Sequence, residues 1–588
     1  MIAYRIEIED AHAHLYRVTL TVSEPAAEQR LSLPVWIPGS YLVREFARHL
    51  SGLSATQGRQ VLPLDQPDKT TWLARCEPRG ALVVTYLVYA FDPSVRAAFL
   101  DARRGFFNGT SLCLRVEGQE VVPHRLELRK LPAGWQVATA LRASASGRNS
   151  FDAADYDELV DSPFELGRFW RGQFEAEGVP HEFVVSGALP DFDGDRLLAD
   201  SRRICEAEIA FWHRSDAARS DKPPFERYVF MLHVVEDGHG GLEHRASTSL
   251  IGSRRDLPRR EPTGVNASDT GEGYVNLLGL ISHEYFHTWN VKRLRPTEFA
   301  RYDYTRENYT ELLWFFEGFT SYYDDLFLVR AGLIDSARYL KLVARTLSNV
   351  LALPGRQVQS VAQSSFDAWT KYYRADENTP NATISYYTKG SLVALALDLT
   401  LRHEGHGTLD DVMRALWAGS RGGPIAEDDI AATLEKIGRR SYAPEIAAWV
   451  HGTQDLPLPE LLAHAGIDWQ AQAATLSQRL GVRVSESALT GVKVGQVLRG
   501  GAAERAGLSA GDEVLAIAGW RLRRLDEALR LLTPGVEAPL LVARDQRVLS
   551  LSLTLPANAA DAAGAITLRA SAKPAKAALA LQKAWLAV

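Results

Sequence analysis

The stretch that most constrains this chain is Gly279-Leu280-Ile281-Ser282-His283-Glu284-Tyr285-Phe286-His287-Thr288-Trp289-Asn290, which contains H-E-x-x-H. Residues four apart share one face of a helix, so His283 and His287 can address a single metal ion. Glu284 projects beside such an ion, where a general base for an attacking water belongs. Val275, Leu277, Leu278, Leu280, Ile281 and Phe286 supply the apolar face. The pattern predicts a buried helix through 279–290 that presents two imidazoles to a cleft. With 15 His in 588 residues, a chance H-E-x-x-H is expected on the order of a few hundredths of a time per chain. His403-Glu404-Gly405-His406 groups the same residue types at a spacing of three with a Gly inside, and reads as a helix end followed by a loop.

A catalytic zinc has three protein ligands and one open position, so a third ligand is expected downstream. Glu317 is the best candidate, an acid within the apolar run Leu312-Leu313-Trp314-Phe315-Phe316-Glu317-Gly318-Phe319. A buried carboxylate is costly unless paired or metal-bound. Glu307 and Glu311 compete, but their neighbours Arg306, Asn308 and Thr310 read as solvated. Upstream, Gly240-Gly241-Leu242-Glu243-His244 follows the strand-like Tyr228-Val229-Phe230-Met231-Leu232. Glycines beside an acid at a strand end can form a substrate-binding edge, with Glu243 placed to pair with a cationic amine. Tyr386 and Tyr387 open a helix, where a tyrosine hydroxyl could meet a developing oxyanion or simply pack.

The rest of the chain frames this region. Residues 1–178 alternate apolar and polar, as in Tyr4-Arg5-Ile6-Glu7-Ile8, and read as an antiparallel β-sandwich-like domain. Within it, Pro34-Val35-Trp36-Ile37-Pro38-Gly39-Ser40-Tyr41 and Phe106-Phe107-Asn108-Gly109-Thr110 are unusual for scaffolding. Loop packing is the favoured reading, a wall of the cleft the alternative. Residues 179–460 are mainly helical, beginning with a helix at 195–213. Residues 465–558 form a small module of strands and Gly turns, and 559–588 an Ala- and Lys-rich tail with at most one docked helix. The class is multidomain α+β. A net charge of −6 gives no nucleic-acid footprint. Cys76, Cys113 and Cys205 form no C-x-x-C and read as reduced, buried thiols. No apolar run of about 18 residues is present, and Met1–Ile8 is strand-like rather than signal-like, so the expected location is cytoplasmic.

H-E-x-x-H, the Trp314–Thr320 stretch with Glu317-Gly318, the Gly240–His244 loop and Tyr387-Thr388-Lys389-Gly390 together resemble a gluzincin-type zinc peptidase. Gly500–Gly519 resembles a bacterial-type PDZ domain. With Trp36–Tyr41 in a β domain ahead of them, the chain resembles the glycyl aminopeptidase family over residues up to about 558. The resemblance implies a thermolysin-like catalytic domain between a β domain and a PDZ domain, one Zn²⁺ per chain, and removal of N-terminal glycine or alanine from peptides with a free amino terminus. It implies His283, His287 and Glu317 as zinc ligands, Glu284 as general base, Tyr387 as transition-state donor, and Glu243, with Gly240 and Gly241, as the amine-binding edge. The broader aminopeptidase group places its third ligand about 18 residues after the second His, at Arg306 here, so Glu317 implies an insertion. Leu480-Gly481-Val482 fits a PDZ carboxylate loop for a peptide or protein C-terminus. Two alternatives are a PDZ-directed zinc endopeptidase and a PDZ scaffold carrying a vestigial peptidase.

Overall fold

The structure is a computed structural model describing residues 2–77, 79–213, 222–260, 271–487, 489–558 and 564–586. The chain forms two compact units, residues 1–309 with 417–425 and residues 310–416 with 426–588.

In the first unit, the period-2 alternation produces β1 (Ile2–Asp10), β2 (Leu15–Val22), β3 (Leu82–Tyr89) and β4 (His124–Arg129) within an eight-stranded sheet. Tyr4, Ile6, Val18, Leu20, Val84 and Tyr86 share one apolar core with residues of two four-stranded sheets, as inward-facing strand positions should. The antiparallel expectation fails at one place, because β1 pairs with β4 in parallel. A further, five-stranded sheet contains β5 (Trp170–Ala176), β6 (Val179–Ser186), β7 (Tyr228–Val235), β8 (His239–Glu243) and β9 (Ser247–Ser253), in the order β5-β6-β7-β9-β8. The three central strands are parallel and almost continuously buried, which suits Val/Phe/Leu-rich runs covered on both faces. β8 lies antiparallel at one edge. Helix α1 (Gly194–His213) matches its predicted span and packs on α2 (Glu272–Phe286), which also lies against β8 and β9.

The second unit begins with α3 (Leu313–Arg330), apolar around nearly its whole circumference and correspondingly buried. It packs on α5 (Thr388–Glu404), with α4 (Ser336–Leu351) against both. Helix α5 stops at Gly405, which takes φ +74°, the left-handed cap that glycine accepts without penalty. The 403–406 cluster is thus the predicted helix end. The C-terminal module is a sheet of β11 (Val482–Ser487), β12 (Gly491–Val497), β13 (Glu513–Ile517), β14 (Glu537–Arg544) and β15 (Arg547–Thr554) around its own apolar core.

The expected tail is more ordered than its composition suggests. β16 (Ile566–Ala570) pairs with β10 (Ile467–Ala471), outside the module's sheet, and α6 (Lys576–Leu586) follows. Trp585 is fully buried, its Nε1–H donating to Tyr322 Oη at 2.9 Å, and Arg402 Nη1 donates to Ala584 O at 2.9 Å. An Ala-rich stretch shows little periodicity, so its order comes from main-chain pairing and one large aromatic. Residues 559–563 and 587–588 of that segment lie outside the described residues.

Candidate active site

Helix α2 begins at Glu272, ahead of the predicted span, and ends at Phe286, four residues before the predicted end. His287 is its C-cap, still helical (φ −59°, ψ −19°), with its N–H bonded to His283 O at 3.2 Å. The chain then folds back through Val291, whose φ is +130°, an outlier for a β-branched residue. That turn brings Asn290 O to 2.8 Å from His287 Nδ1. A carbonyl only accepts, so Nδ1 carries the hydrogen and Nε2 keeps its lone pair. His283 Nε2 lies 3.0 Å from His287 Nε2, with the rings edge to face. Two imidazole nitrogens this close repel unless a cation or proton lies between them, which is the donor arrangement a metal requires. Deeper in the same helix, Tyr285 Oη meets His181 Nε2 at 2.8 Å, and burial pushes the His181 pKa down to about 4.

Glu317 is 2% exposed on α3. Gly318 and Gly390 explain its setting. A Cβ on Gly318 would lie 2.6 Å from Gly390 Cα, and one on Gly390 would lie 2.7 Å from Trp314 O. The two motif glycines therefore let α3 and α5 cross backbone to backbone. Glu317 thereby stands beside Tyr387, whose pKa is raised by burial and then by the Glu317 charge, so its hydroxyl stays protonated and able to donate. Tyr387 Oη also bonds Tyr373 Oη at 3.1 Å, and its ring stacks on Tyr386. Among the described residues, His283, His287 and Glu317 are the group that could hold a metal ion, one ligand atom from each. Neither Glu307 nor the exposed Glu311 joins it.

Strand β8 supplies the remaining predicted residues. A Cβ on Gly241 would lie 2.2 Å from Glu284 Oε1, so the Glu284 carboxyl rests directly on this strand. Two residues on, and on the same face, Glu243 is 4% exposed. Its carboxyl lies against Gly39, where a Cβ would be 2.4 Å from Oε1. Gly39 has φ +90° and forms a tight turn closed by Ser40 N–H to Ile37 O at 3.0 Å. The turn is anchored by Trp36 Nε1–H to Asp303 O at 2.8 Å and Val35 N–H to Tyr304 O at 2.9 Å. The Trp36–Tyr41 stretch thus packs as favoured in the sequence and also touches Glu243. Gly240 takes φ +153° at the strand's outer end.

Two contributors were not visible in the sequence. Arg96 Nη2 donates to Gly241 O at 3.1 Å, and Asn108 Nδ2 holds the Arg96 loop by bonding Val95 O and Ala97 O at 3.0 and 3.2 Å. The Asn-Gly turn was the available signal. Asp161 accepts from Lys292 Nζ at 2.6 Å, from His244 Nδ1 at 3.2 Å and from Arg245 N–H at 2.9 Å. Burial alone would raise the Asp161 pKa. The charge of Lys292, the bond from His244 and the charge of Arg245 instead hold it well below the usual carboxylate range. Nothing in its sequence context marks it. In the C-terminal module, Leu480 and Val482 are core side chains, 1% and 4% exposed, so of the proposed Leu480-Gly481-Val482 loop only Gly481, at φ +72°, lines a cavity.

Residues 3–168 match the Peptidase M61 N-terminal domain, residues 276–393 the M61 glycyl aminopeptidase domain, and residues 468–542 the PDZ domain. The chain is 37% identical, over 100% of both chains and with a TM-score of 0.91, to the crystal structure of an aminopeptidase N family protein from Idiomarina loihiensis. It also aligns, at 14% identity and a TM-score of 0.47, over 78% of its length with 95% of an M1 zinc metallopeptidase from Deinococcus radiodurans. No curated protein sequence matches it. The His283–His287 pair, the three domain matches and the 37%-identical relative together identify the chain as a metallopeptidase that belongs to the M61 glycyl aminopeptidase family and carries a PDZ domain.

Proposed function

We propose that the chain is a zinc aminopeptidase that releases small N-terminal residues, glycine or alanine, from peptides. The observation that carries this reading is a pair of buried carboxylates along one edge strand, Glu243 carried by β8 and Glu284 packed against it from α2. Glu284 rests on Gly241 and Glu243 on Gly39. Two strand residues span roughly 7 Å. A substrate amine paired with Glu243 therefore leaves about one residue before the peptide bond nearest Glu284, which describes an exopeptidase. Gly39 pressed against Glu243 leaves little room for a first side chain, which favours glycine and alanine.

His283, His287 and Glu317 are the proposed ligands. A zinc ion they hold would supply Lewis-acid polarisation of the scissile carbonyl and a lowered pKa for water. Glu284 accepts a proton from the attacking water at its carboxylate and returns it to the leaving amine nitrogen. Its burial keeps bulk water from competing for that proton. Tyr387, kept protonated beside Glu317, donates its hydroxyl hydrogen to the oxyanion. Asn290 O, by fixing the proton on His287 Nδ1, holds that ligand in its binding tautomer. The PDZ domain supports peptide binding as a second activity, and no helix among the described residues is long and apolar enough to cross a membrane.

The test pairs metal analysis with hydrolysis of Gly-, Ala- and Leu-p-nitroanilide and their N-acetylated forms. About one zinc per chain, turnover of the free-amine Gly and Ala compounds, and none of the acetylated ones is expected. Equal turnover of acetylated substrates would overturn the exopeptidase assignment, and Leu turned over as well as Gly would overturn the size preference.

A further inference from the structure

Strand β8 is the edge of its sheet, so alternate main-chain groups along it have no strand to pair with. Leu242 O accepts from Thr248 Oγ1 at 3.0 Å and His244 N–H donates to Ser247 O at 2.9 Å, so these two residues face β9. Alternation then turns the main-chain groups of Gly241 and Glu243 to the open edge. At that edge Arg96 Nη2 donates to Gly241 O at 3.1 Å. The same guanidinium reaches along the strand to Gly240, where an added Cβ would lie 4.0 Å from Arg96 Nη1. Among the described residues its buried Nε has no hydrogen-bond partner, and no carboxylate pairs with the side chain. A planar, charged fork of donors suited to a carboxylate is thus engaged by a single neutral carbonyl.

The loop after β3 holds this guanidinium in place in advance of any ligand. Val95 packs with Ile37 and with Leu242 of β8. Asn108, fully buried, fixes the residues on either side of Arg96 through Val95 O and Ala97 O. Charges therefore follow a set order along the edge: the Glu243 carboxylate, the Glu284 carboxylate at Gly241, and the Arg96 guanidinium from Gly241 to Gly240. An anion and a cation two strand residues apart, roughly 7 Å, complement a zwitterion of that length. An extended dipeptide separates its amine from its carboxylate by about the same 7 Å, whereas a free amino acid falls about 3 Å short and a tripeptide runs about 3 Å long.

Resting on the aminopeptidase reading above, we propose that Arg96 sets substrate length: it binds the free carboxylate of a dipeptide whose amine is held by Glu243, so that dipeptides with a small first residue are the preferred substrates. Arg96 already occupies the edge at Gly241 O, where a longer peptide adding to β8 would place its own main chain. The carboxylate of a dipeptide ends at this point and meets the unused donors of the fork.

Binding is measured by calorimetry on the full-length Glu284→Gln protein, so that bound peptides are not turned over. Ala-Ala is expected to bind at least tenfold tighter than Ala-Ala amide, which lacks the carboxylate, and than Ala-Ala-Ala, which carries the same charges one residue further apart. Adding Arg96→Gln is expected to bring the acid-to-amide ratio close to one, and Arg96→Lys to keep part of it, whatever either change does to overall affinity. An Arg96 that only braces β8 would weaken acid and amide alike. Equal binding of acid and amide, a tripeptide bound as tightly as the dipeptide, or a preference that survives Arg96→Gln would overturn the proposal and leave the aminopeptidase reading standing. No binding of any form, or N-acetyl-Ala-Ala bound as tightly as Ala-Ala, would overturn that reading and this proposal with it.

Discussion

Replacing Gly241 with alanine is the sharpest probe of how Glu284 is positioned. The new Cβ would meet Glu284 Oε1 at 2.2 Å, Cδ at 2.3 Å and Cγ at 2.5 Å, whereas ordinary contact begins at 3.4 Å. The carboxyl must therefore retreat by more than an ångström. The backbone of β8 is bonded along its length to β9, so the strand yields less readily than the side chain. A displacement of about 1 Å in a catalytic group costs roughly 10²-fold in rate, equivalent to about 2.7 kcal/mol of barrier. Gly241→Ala is expected to lower kcat on Ala-p-nitroanilide about 100-fold, with KM within about threefold because Glu243 is untouched. Metal content should remain at the wild-type value. Gly252→Ala is the control on the adjacent strand, since its Cβ would meet nothing nearer than 3.6 Å. A Gly241→Ala enzyme within threefold of wild-type kcat, with its metal intact, would refute the claim that Glu284 acts from the position in which it rests on Gly241.

Three further predictions test other parts of the molecule. Trp585→Ala removes a fully buried indole and its bond to Tyr322, and should cost about 3–5 kcal/mol in urea unfolding; a loss under about 1 kcal/mol would mean that the C-terminal helix contributes little. His181 is neutral and buried, with its pKa lowered to about 4 from 6.5. The unfolded chain binds the proton first, so this stability is complete above pH 6.5 and is lost as pH falls towards 4, by about 3 kcal/mol in total. Unfolding free energies measured at pH 7.5 and 4.5 should differ less in His181→Gln, which cannot titrate in that range. Asp161→Asn leaves Lys292 buried, 4% exposed, without its counter-charge, and should cost about 3–5 kcal/mol. The Asp161→Asn, Lys292→Met double variant should recover most of that loss, and failure to recover it would show that the ion pair is not what Asp161 contributes.

How much was legible in the sequence depended on whether a feature was local. H-E-x-x-H declares its own geometry, because helical spacing alone places His283 and His287 together. Glu317 stood out as an acid in an apolar helix, a local conflict that needs a partner. The alternation of Ile2–Asp10 announced a strand, but period-2 patterning carries no information about which partner it takes or in which direction. The parallel pairing with residues 124–129 was therefore invisible. The same holds for Ile566–Ala570, whose strand character comes from pairing with Ile467–Ala471 rather than from its own residues. Asp161 and Arg96 act through contacts to residues more than 80 positions away, where neighbouring sequence gives no cue. The weak motifs owe their glycines to contacts that only the fold reveals. Gly39 and Gly241 meet carboxylates, and Gly318 and Gly390 meet each other.

The end of α2 unites several of these observations. A longer helix, as the apolar pattern suggested, would carry Asn290 a further turn along the axis and keep its carbonyl in the helical ladder. The chain breaks at Phe286 instead and tolerates φ +130° at Val291, an arrangement that costs on the order of 1–3 kcal/mol. What it secures is the bond from His287 Nδ1 to Asn290 O, which selects the tautomer that carries its lone pair on Nε2. Strain of this kind persists only where surrounding contacts over-determine it. Here Lys292 is locked to Asp161, and Arg293 donates to Thr288 O at 2.7 Å, Arg245 O at 2.9 Å and Pro224 O at 2.6 Å. Asp161 also holds His244, the neighbour of Glu243. One buried carboxylate thus braces both the turn that orients His287 and the strand that carries Glu243 and Gly241, so a single charged cluster sets the spacing between them.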